Sequence, residues 1–180
     1  YFVITTNVDG QFLNNGFDKE RVFEVQGSYA KLQCEIPCHN KLYDNKEIIH
    51  KMLLNIDKDL KIPTELVPKC PVCGKNMSVN LRCDDSFVED DNWYAMQKNY
   101  DDFVKNNSNK KVLLLEFGVG FNTPGIIRFP FEQMTFLHDN FELIRFNDKY
   151  AMIPDGIIDR SISVTDSIEE TIDLIYKITK

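Results

Sequence analysis

Two pairs of closely spaced cysteines are the feature that most restricts how this chain can fold. Cys34 and Cys38 are separated by three residues, and Cys70 and Cys73 by two, with Gly74 directly after the second pair. Each pair can present two thiolates to one tetrahedral metal ion, and together they complete a closed four-thiolate site. Because a closed site leaves no position for water, the spacing predicts a structural Zn²⁺ site. The alternative is four cysteines that cluster without a metal.

The fifth cysteine and a neighbouring histidine lie outside this set. Cys83 has no partner at a ligand spacing, so we expect a buried or half-buried free thiol. His39 could replace a ligand, but four cysteines leave it no vacancy. An odd number of cysteines, four of them in close pairs, is typical of a reducing compartment rather than a disulfide framework. We therefore expect a cytoplasmic protein.

Length and composition exclude several classes of protein. A chain of 180 residues suits one globular domain, or one domain with a small insert. No apolar run approaches the roughly 20 residues that a membrane span needs. The net charge of −7 and the scattered lysines argue against binding to nucleic acid, which needs a clustered basic surface. We expect neither a membrane nor a nucleic acid as partner. No signal peptide is recognisable, and the apolar start suggests that upstream residues are missing.

Short apolar runs predict the strands of a sheet. Runs that are apolar on both faces are typical of a parallel sheet covered by helices. We predict strands over residues 1–5, 21–25, 111–117 and 141–146. We predict helices over residues 91–105 and 167–179, the second with Ser167 and Glu170 at the spacing of a capping box. The alternation predicts an α/β fold with a Rossmann-like parallel sheet core.

One segment breaks this alternation. Residues 29–80 are rich in Lys, Asp, Asn and Pro and contain both cysteine pairs. We therefore predict a small zinc-binding module over 29–80, inserted into a core formed by residues 1–28 and 81–180.

A polar loop, "TTNVDG", follows the first predicted strand. It lies at the strand's carboxyl end, where open α/β sheets bind their ligands. Asn7 offers donors and an acceptor, and the Asp9 carboxylate can hold a sugar hydroxyl. An Asx turn ending at Gly10 explains the segment equally well. Gln26 closes the second strand, and on its own it is a polar residue without a chemical role.

Another loop of small residues, "EFGVGFNTP", closes the third predicted strand. Its small side chains allow backbone amides to approach a phosphate group. The polar loop, the Gln26-Gly27 pair, the cysteine pairs and this loop therefore form an ordered set of four features.

This order of motifs resembles the sirtuin family. The polar loop matches that family's T-x-N-x-D-G stretch, and Gln26-Gly27 stand where the family has His-Gly. The matching residues are Thr5, Asn7, Asp9 and Gly10 in the loop, Cys34, Cys38, Cys70 and Cys73 in the zinc module, Gly118, Val119 and Gly120 in the nucleotide turn, and Asn147 after the next strand. The resemblance covers most of the chain without the family's first glycine-rich phosphate loop, which would precede Tyr1.

The resemblance implies NAD as co-substrate and a structural Zn²⁺. It implies catalytic roles for Asn7, Asp9 and Gln26. The implied NAD-binding set is Thr5, Asn7, Asp9, Gln26, Gly118, Val119, Gly120, Asn147, Asp148 and Asp166. Asn147 and Asp148 would contact the adenosine ribose, and Asp166 would border the adenine. For these last three residues, a capped turn is the alternative.

Gln26 decides which sirtuin reaction the resemblance implies. Sirtuins break the nicotinamide–ribose bond of NAD, and in deacylases the histidine acts as general base. A glutamine amide does not titrate, and loss of a general base typically costs about 10²- to 10⁴-fold in rate. The pattern resembles the class M, macrodomain-linked branch, which implies ADP-ribosylation of an acceptor protein.

The segments "NLRCDDSFVEDDNW" and "GFNTPGIIRFPFEQMT" strengthen the class M resemblance. That branch implies a lipoyl-carrier protein of the glycine-cleavage H type as acceptor and a macrodomain protein as a further partner. The alternatives are an NAD-dependent deacylase with an altered base, and an NAD- or ADP-ribose-binding module without turnover.

The stretch "RFPFEQM" contains Arg128 and Glu132 among aromatic residues. One interpretation is a core-packing segment with an ion pair on the surface. The other is recognition of an anionic partner or a phosphate by Arg128, since a guanidinium group suits that geometry.

Overall fold

The computed structural model describes residues 1–179, which divide into two compact units. The first unit is Tyr1–Asp101, and the second begins at Asp102. In the described part of the chain, no helix is both long enough and apolar enough to cross a membrane.

The first unit opens with a two-stranded parallel sheet. Strands β1 (Val3–Thr5) and β2 (Val22–Glu24) pair with Thr5 opposite Glu24, and the short helix α1 (Gln11–Asn14) lies between them in the chain. Val22 and Phe23 are buried, and the Phe23 ring packs edge-on against Trp93 at 5.1 Å. Both strands predicted in this region are confirmed, the first shortened by two residues at its start and the second by one residue at each end.

A three-stranded antiparallel sheet follows. Its strands are β3 (Gly27–Cys34), β4 (Tyr43–Asp44) and β5 (Met77–Leu81), in the order β4-β3-β5, with helix α2 (Lys46–Leu54) after β4. Strands β3 and β5 each carry one buried amide side chain, and the two are paired: the Asn80 Nδ2 donates to Gln33 Oε1 at 2.7 Å. The same Gln33 oxygen accepts the Val88 N–H at 3.0 Å, which ties the loop after β5 to the sheet.

Gly27 shows why a glycine follows Gln26. Its φ is +93°, a left-handed conformation that side chains rarely adopt, and a Cβ there would lie 2.1 Å from the Asn80 carbonyl oxygen. Only glycine therefore allows β3 to approach β5 so closely directly after Gln26.

Helix α3 (Asp91–Asn107) begins in the first unit and ends in the second. Its first turn is capped by Asp90, whose Oδ1 accepts the Trp93 N–H at 2.9 Å. The helix predicted over residues 91–105 is confirmed and is two residues longer.

After the end of α3, the described part of the second unit contains a three-stranded parallel sheet and the helices α4 and α5. Strand β6 (Val112–Phe117), helix α4 (Arg128–Leu137), strand β7 (Phe141–Phe146), strand β8 (Ser161–Val164) and helix α5 (Ile168–Ile178) follow in chain order, with sheet order β6-β7-β8. The Ser167 Oγ accepts the Glu170 N–H at 3.5 Å, as the capping-box spacing predicts. The parallel sheets confirm the predicted α/β class.

Candidate functional site

The four paired cysteines converge on one point. Their sulfur atoms all lie within 4.8 Å of one another, with Cys34 3.5 Å from Cys73 and Cys38 3.7 Å from Cys70. Bonds of about 2.3 Å to a tetrahedral zinc ion place sulfurs about 3.8 Å apart. The donor set therefore fits a metal ion, and the predicted cluster of the two pairs is confirmed.

Turns and strand ends hold these cysteines in place. Cys34 ends β3, and the Cys70 turn is closed by the Gly74 N–H, which donates to the Cys70 carbonyl at 2.8 Å. Gly74 has a φ of +72°, so the turn needs a residue that accepts the left-handed region. Burial raises the pKa of the Cys70 thiol, but hydrogen bonds from the backbone amides of Cys73 and Val72 outweigh it and bring the pKa to about 7.

His39 and Cys83 do not belong to the four-cysteine group. His39 lies beside the four sulfurs, with Nδ1 3.1 Å from Cys38 Sγ and Nε2 3.0 Å from the Tyr43 hydroxyl oxygen. Cys83 is exposed, so the prediction of a buried or half-buried thiol is wrong. Directly after β5 the chain turns out of the sheet, and the Cys83 N–H bonds to the Leu81 carbonyl two residues earlier at 2.9 Å.

The polar loop after β1 forms the Asx turn that was the alternative interpretation of this segment. Asp9 Oδ1 accepts the Gln11 N–H at 3.1 Å, and Gly10 has a φ of +69° at the start of α1. The buried Thr5 accepts the Asn7 N–H on its Oγ1 at 3.0 Å, while the Asn7 and Asp9 residues are exposed. The loop is thus rigidly held by local hydrogen bonds, and its exposed polar groups remain predicted ligand contacts.

The structure brings this loop to the turn that contains Gln26. The Val25 N–H donates to the Thr5 carbonyl at 3.1 Å, and the Tyr29 N–H donates to the Val8 carbonyl at 2.8 Å. Gln26 lies in the chain between these two hydrogen-bonded residues, Val25 and Tyr29, and is half-buried. Four of the predicted site residues, Thr5, Asn7, Asp9 and Gln26, therefore lie together at the carboxyl ends of β1 and β2.

A further residue comes to this turn from the segment after β5. The Arg82 N–H donates to the Gln26 carbonyl at 3.1 Å. Its guanidinium group pairs with Glu89 and lies 4.3 Å from the centre of the Phe87 ring. Arg82 belongs to the "NLRCDDSFVEDDNW" segment, and no spacing in the sequence indicates that it lies beside Gln26.

Glu24 is a second residue that the sequence analysis did not single out. It ends β2 opposite Thr5 and is half-buried. Burial and the nearby Asp9 carboxylate raise the pKa of Glu24, while Lys31 opposes the shift. The available signal was one acidic residue inside the apolar run from Val22 to Val25.

This shift predicts a pH dependence of stability. Since the folded state favours the protonated Glu24, its ionisation costs stability as the pH rises from the ordinary pKa of 4.5 through the raised folded pKa. Relative to wild type, Glu24→Gln should gain stability over that window and show its full advantage at neutral pH. Urea unfolding of both proteins between pH 4 and 8 measures the difference at each pH, so any effect on metal binding common to both cancels. A difference that does not change with pH would contradict the prediction.

In the second unit, the predicted nucleotide residues lie at the carboxyl ends of the parallel strands. Gly118 follows β6 with a φ of +65°, and its N–H donates to the Phe146 carbonyl at 2.8 Å. Asn147 follows β7, and its Nδ2 donates to the Val119 carbonyl at 3.0 Å. Gly118–Gly120 and Asn147 are therefore neighbours, while Asp148 and Asp166 are exposed in separate turns.

The Asn147 side chain is engaged within the protein. Its Oδ1 accepts the N–H groups of Lys149 and Tyr150 at 3.1 and 2.8 Å. Asn147 is buried and caps this turn, as the alternative interpretation expected. Contact with an adenosine ribose stays a prediction.

Arg128 and Glu132 form an ion pair, but not on the surface. Arg128 begins α4, is 1% exposed and lies 3.6 Å from carboxylate oxygens of both Glu116 and Glu132. The expectation of a surface pair is wrong because α4 places Arg128 against the buried Glu116 of β6. Arg145 of β7 is directly opposite Glu116 in the sheet. The missed signal was a pair of opposite charges, Glu116 and Arg145, near the carboxyl ends of the two predicted strands.

Two curated proteins are similar to this chain in sequence. No protein-family model matches the chain. The chain is 37% identical over 173 residues to the protein ADP-ribosyltransferase of Staphylococcus aureus, covering 96% of this chain and 55% of that protein. It is 33% identical over 165 residues to the "Probable bifunctional ADP-ribose hydrolase/ADP-ribosyltransferase" of Fusarium oxysporum f. sp. cubense, covering 85% of this chain and 27% of that protein.

The fold has a counterpart among solved structures. A structure of a Sir2 enzyme matches with a TM-score of 0.53 at 19% identity, covering 99% of this chain and 62% of the matched chain. The present chain thus spans about half the length of the Staphylococcus relative and about a quarter of the Fusarium relative. Both comparisons agree with the motifs of the sequence: the chain is similar in sequence to the two relatives and has the fold of a Sir2 enzyme.

Proposed function

We propose that this protein is an NAD-dependent protein ADP-ribosyltransferase of the class M sirtuin type. It transfers ADP-ribose to an acceptor protein and releases nicotinamide. The observation that carries the proposal is a non-titrating Gln26, half-buried beside the loop that presents Asn7 and Asp9. The names of the two sequence relatives support the transfer reaction.

The arrangement suits the first half of such a reaction. Breaking the bond between nicotinamide and ribose leaves positive charge on the sugar, which oriented dipoles and exclusion of water stabilise. The amide groups of Asn7 and Gln26 supply such dipoles, and the hydrogen bond to Thr5 holds the Asn7 backbone in place. Neither amide accepts a proton near neutral pH, so the acceptor side chain must itself be nucleophilic.

The second unit contains its own set of residues that we propose as contacts with NAD. The backbone of Gly118–Gly120 lies at the end of a parallel strand, where such folds bind nucleotides. Asp148 and Asp166 are exposed, so their carboxylates are accessible to a ligand. NAD supplies the ADP-ribosyl group and the leaving group, and these residues hold it.

The cysteine cluster is proposed to hold Zn²⁺ in a structural role. Four sulfurs within 4.8 Å of one another complete a tetrahedron, which leaves no ligand position for a substrate or water. The proposed acceptor is a lipoyl-carrier protein of the glycine-cleavage H type, and a macrodomain protein is the proposed further partner.

Labelled NAD tests the proposed function. With label in the adenylate part, we expect transfer to a lipoylated H-type carrier protein, with nicotinamide released in equal amount. A panel of acyl-lysine peptides is assayed in parallel. Nicotinamide release that requires an acyl-lysine, without labelled protein, would instead show a deacylase. Saturable NAD binding with no nicotinamide release in any mixture would show a binding module.

A further inference from the structure

Four charged side chains form a closed cluster in the interior of the second unit. Arg145 holds Glu116 with two hydrogen bonds, from Nε at 2.7 Å and from Nη2 at 2.9 Å. The same Nη2 lies 2.8 Å from Glu132, and Arg128 lies 3.6 Å from both carboxylates. We call Glu116, Arg128, Glu132 and Arg145 the arginine–glutamate cluster.

The cluster is neutral overall and almost completely buried. Side-chain exposure is 0% for Glu116 and Arg145, 2% for Arg128 and 19% for Glu132. Removing ions from water is costly, and good mutual geometry is needed to offset that cost. Replacing buried ion pairs by well-packed apolar residues is often neutral for stability, so stability alone does not account for this cluster.

The remaining guanidinium N–H groups are directed at two loops. Arg128 donates to the carbonyls of Tyr150 at 2.9 Å and Met152 at 3.2 Å, and Arg145 donates to Met152 at 2.6 Å. Ser163 of β8 donates to the carbonyl between them, that of Ala151, at 2.7 Å. Three consecutive carbonyls after β7 are thus held by side chains from the sheet and α4.

The same arginine also holds the loop after β6. The Val119 carbonyl accepts hydrogen bonds from Asn147 Nδ2 at 3.0 Å and from Arg128 Nη1 at 3.4 Å, which turns it towards the cluster. The Val119–Gly120 peptide is trans, so the Gly120 N–H points in the opposite direction. Within residues 1–179, that N–H donates to no acceptor. Free backbone amides of this kind bind anionic groups.

We propose that Arg128 is a positioning residue that orients the Val119–Gly120 peptide, so that the Gly120 N–H meets the anionic part of the bound dinucleotide. The inference rests on the proposed function, which assigns Gly118–Gly120 to NAD. Arg128 does not itself bind the anion, because it is 1% exposed and its donors are taken by Val119, Tyr150 and Met152. Glu116 and Glu132 hold its charge in the interior.

Arg128→Lys tests this role. Lysine keeps the positive charge but lacks the planar guanidinium group, so it cannot donate to all three carbonyls at once. Calorimetric titration with ADP-ribose should show affinity at least tenfold weaker than wild type. Hydrogen exchange should rise in peptides covering residues 118–121 and 149–153. Arg160→Lys is the matched control, since Arg160 in the same unit also clamps two carbonyls, those of Thr135 and His138, but on other segments. Its ADP-ribose affinity should stay within twofold of wild type.

A second variant decides the matter if Arg128→Lys does not fold. Glu132→Gln removes the negative charge that pairs with both Arg128 and Arg145. Glutamine keeps the shape of the side chain and one acceptor oxygen, and the position is partly exposed. We expect ADP-ribose affinity at least threefold weaker, with faster exchange in the same two peptides. Unchanged affinity and exchange in the folded variants would overturn the inference. If wild type binds neither NAD nor ADP-ribose, the proposed function fails, while the exchange of residues 118–121 still tests the positioning.

Discussion

Removing the metal from the cysteine cluster is expected to unfold residues 29–80. Cys34 ends β3, where it is paired with Met77 of β5, and Cys70 is 2% exposed, so the cluster joins both sides of this segment. Structural zinc contributes about 10–16 kcal/mol of apparent binding free energy in zinc-finger peptides, as much as the whole stability of many domains. Chelation, or Cys70→Ser, should therefore abolish protection from hydrogen exchange in β3 and β5.

Metal analysis by mass spectrometry and hydrogen exchange together measure this effect. Cys83→Ser is the matched control, because Cys83 is exposed and lies outside the four-cysteine group. It should retain one zinc per chain and wild-type exchange. A metal-free preparation with β3 and β5 fully protected would refute the structural zinc.

Asn7→Ala is expected to abolish ADP-ribosyl transfer while leaving the fold intact. Loss of one oriented donor at a developing charge typically costs about 10²- to 10³-fold in rate. The fold should persist because Asn7 is exposed and its hydrogen bond to Thr5 uses the backbone N–H, which alanine retains. Transfer of label from NAD, with the far-ultraviolet circular dichroism and thermal midpoint of each protein, measures both outcomes.

The control for this substitution is Asn92→Ala, at an exposed position of α3 where alanine favours the helix. It should transfer label at the wild-type rate. Undiminished transfer by Asn7→Ala would show that the predicted site around Asn7 is wrongly assigned, even if the protein proves to be a transferase.

The elements predicted correctly share a strong local signal. Strands β6 and β7 are apolar runs with clear ends, and the helix at residues 168–178 has both its periodic isoleucines and its capping serine. The missed elements lack such a signal. Ser161–Val164 is short and half polar, and α4 contains Pro130, which helices tolerate in their first turn because the missing N–H has no partner there.

The features of the candidate site also differ in whether a local signal in the sequence indicates them. The Asx turn at Asp9 and the cap formed by Asn147 use hydrogen bonds to residues two or three positions away, so sequence alone could suggest them. The burial of Arg128 depends on Glu116, which lies in another element, and the exposure of Cys83 depends on how the chain leaves β5. Neither property is encoded in the neighbouring residues.

By itself, the sequence determined the α/β class, the four-cysteine cluster and the order of sirtuin motifs. These follow from periodicity and spacing, which short stretches of chain impose directly. Only the tertiary structure decided that Glu24 and Arg82 lie beside the Gln26 turn, and that Arg128 holds two loops from the interior instead of facing an anion. The physical reason is that burial and hydrogen-bond partners depend on elements distant in the chain, which meet only once the sheets have formed.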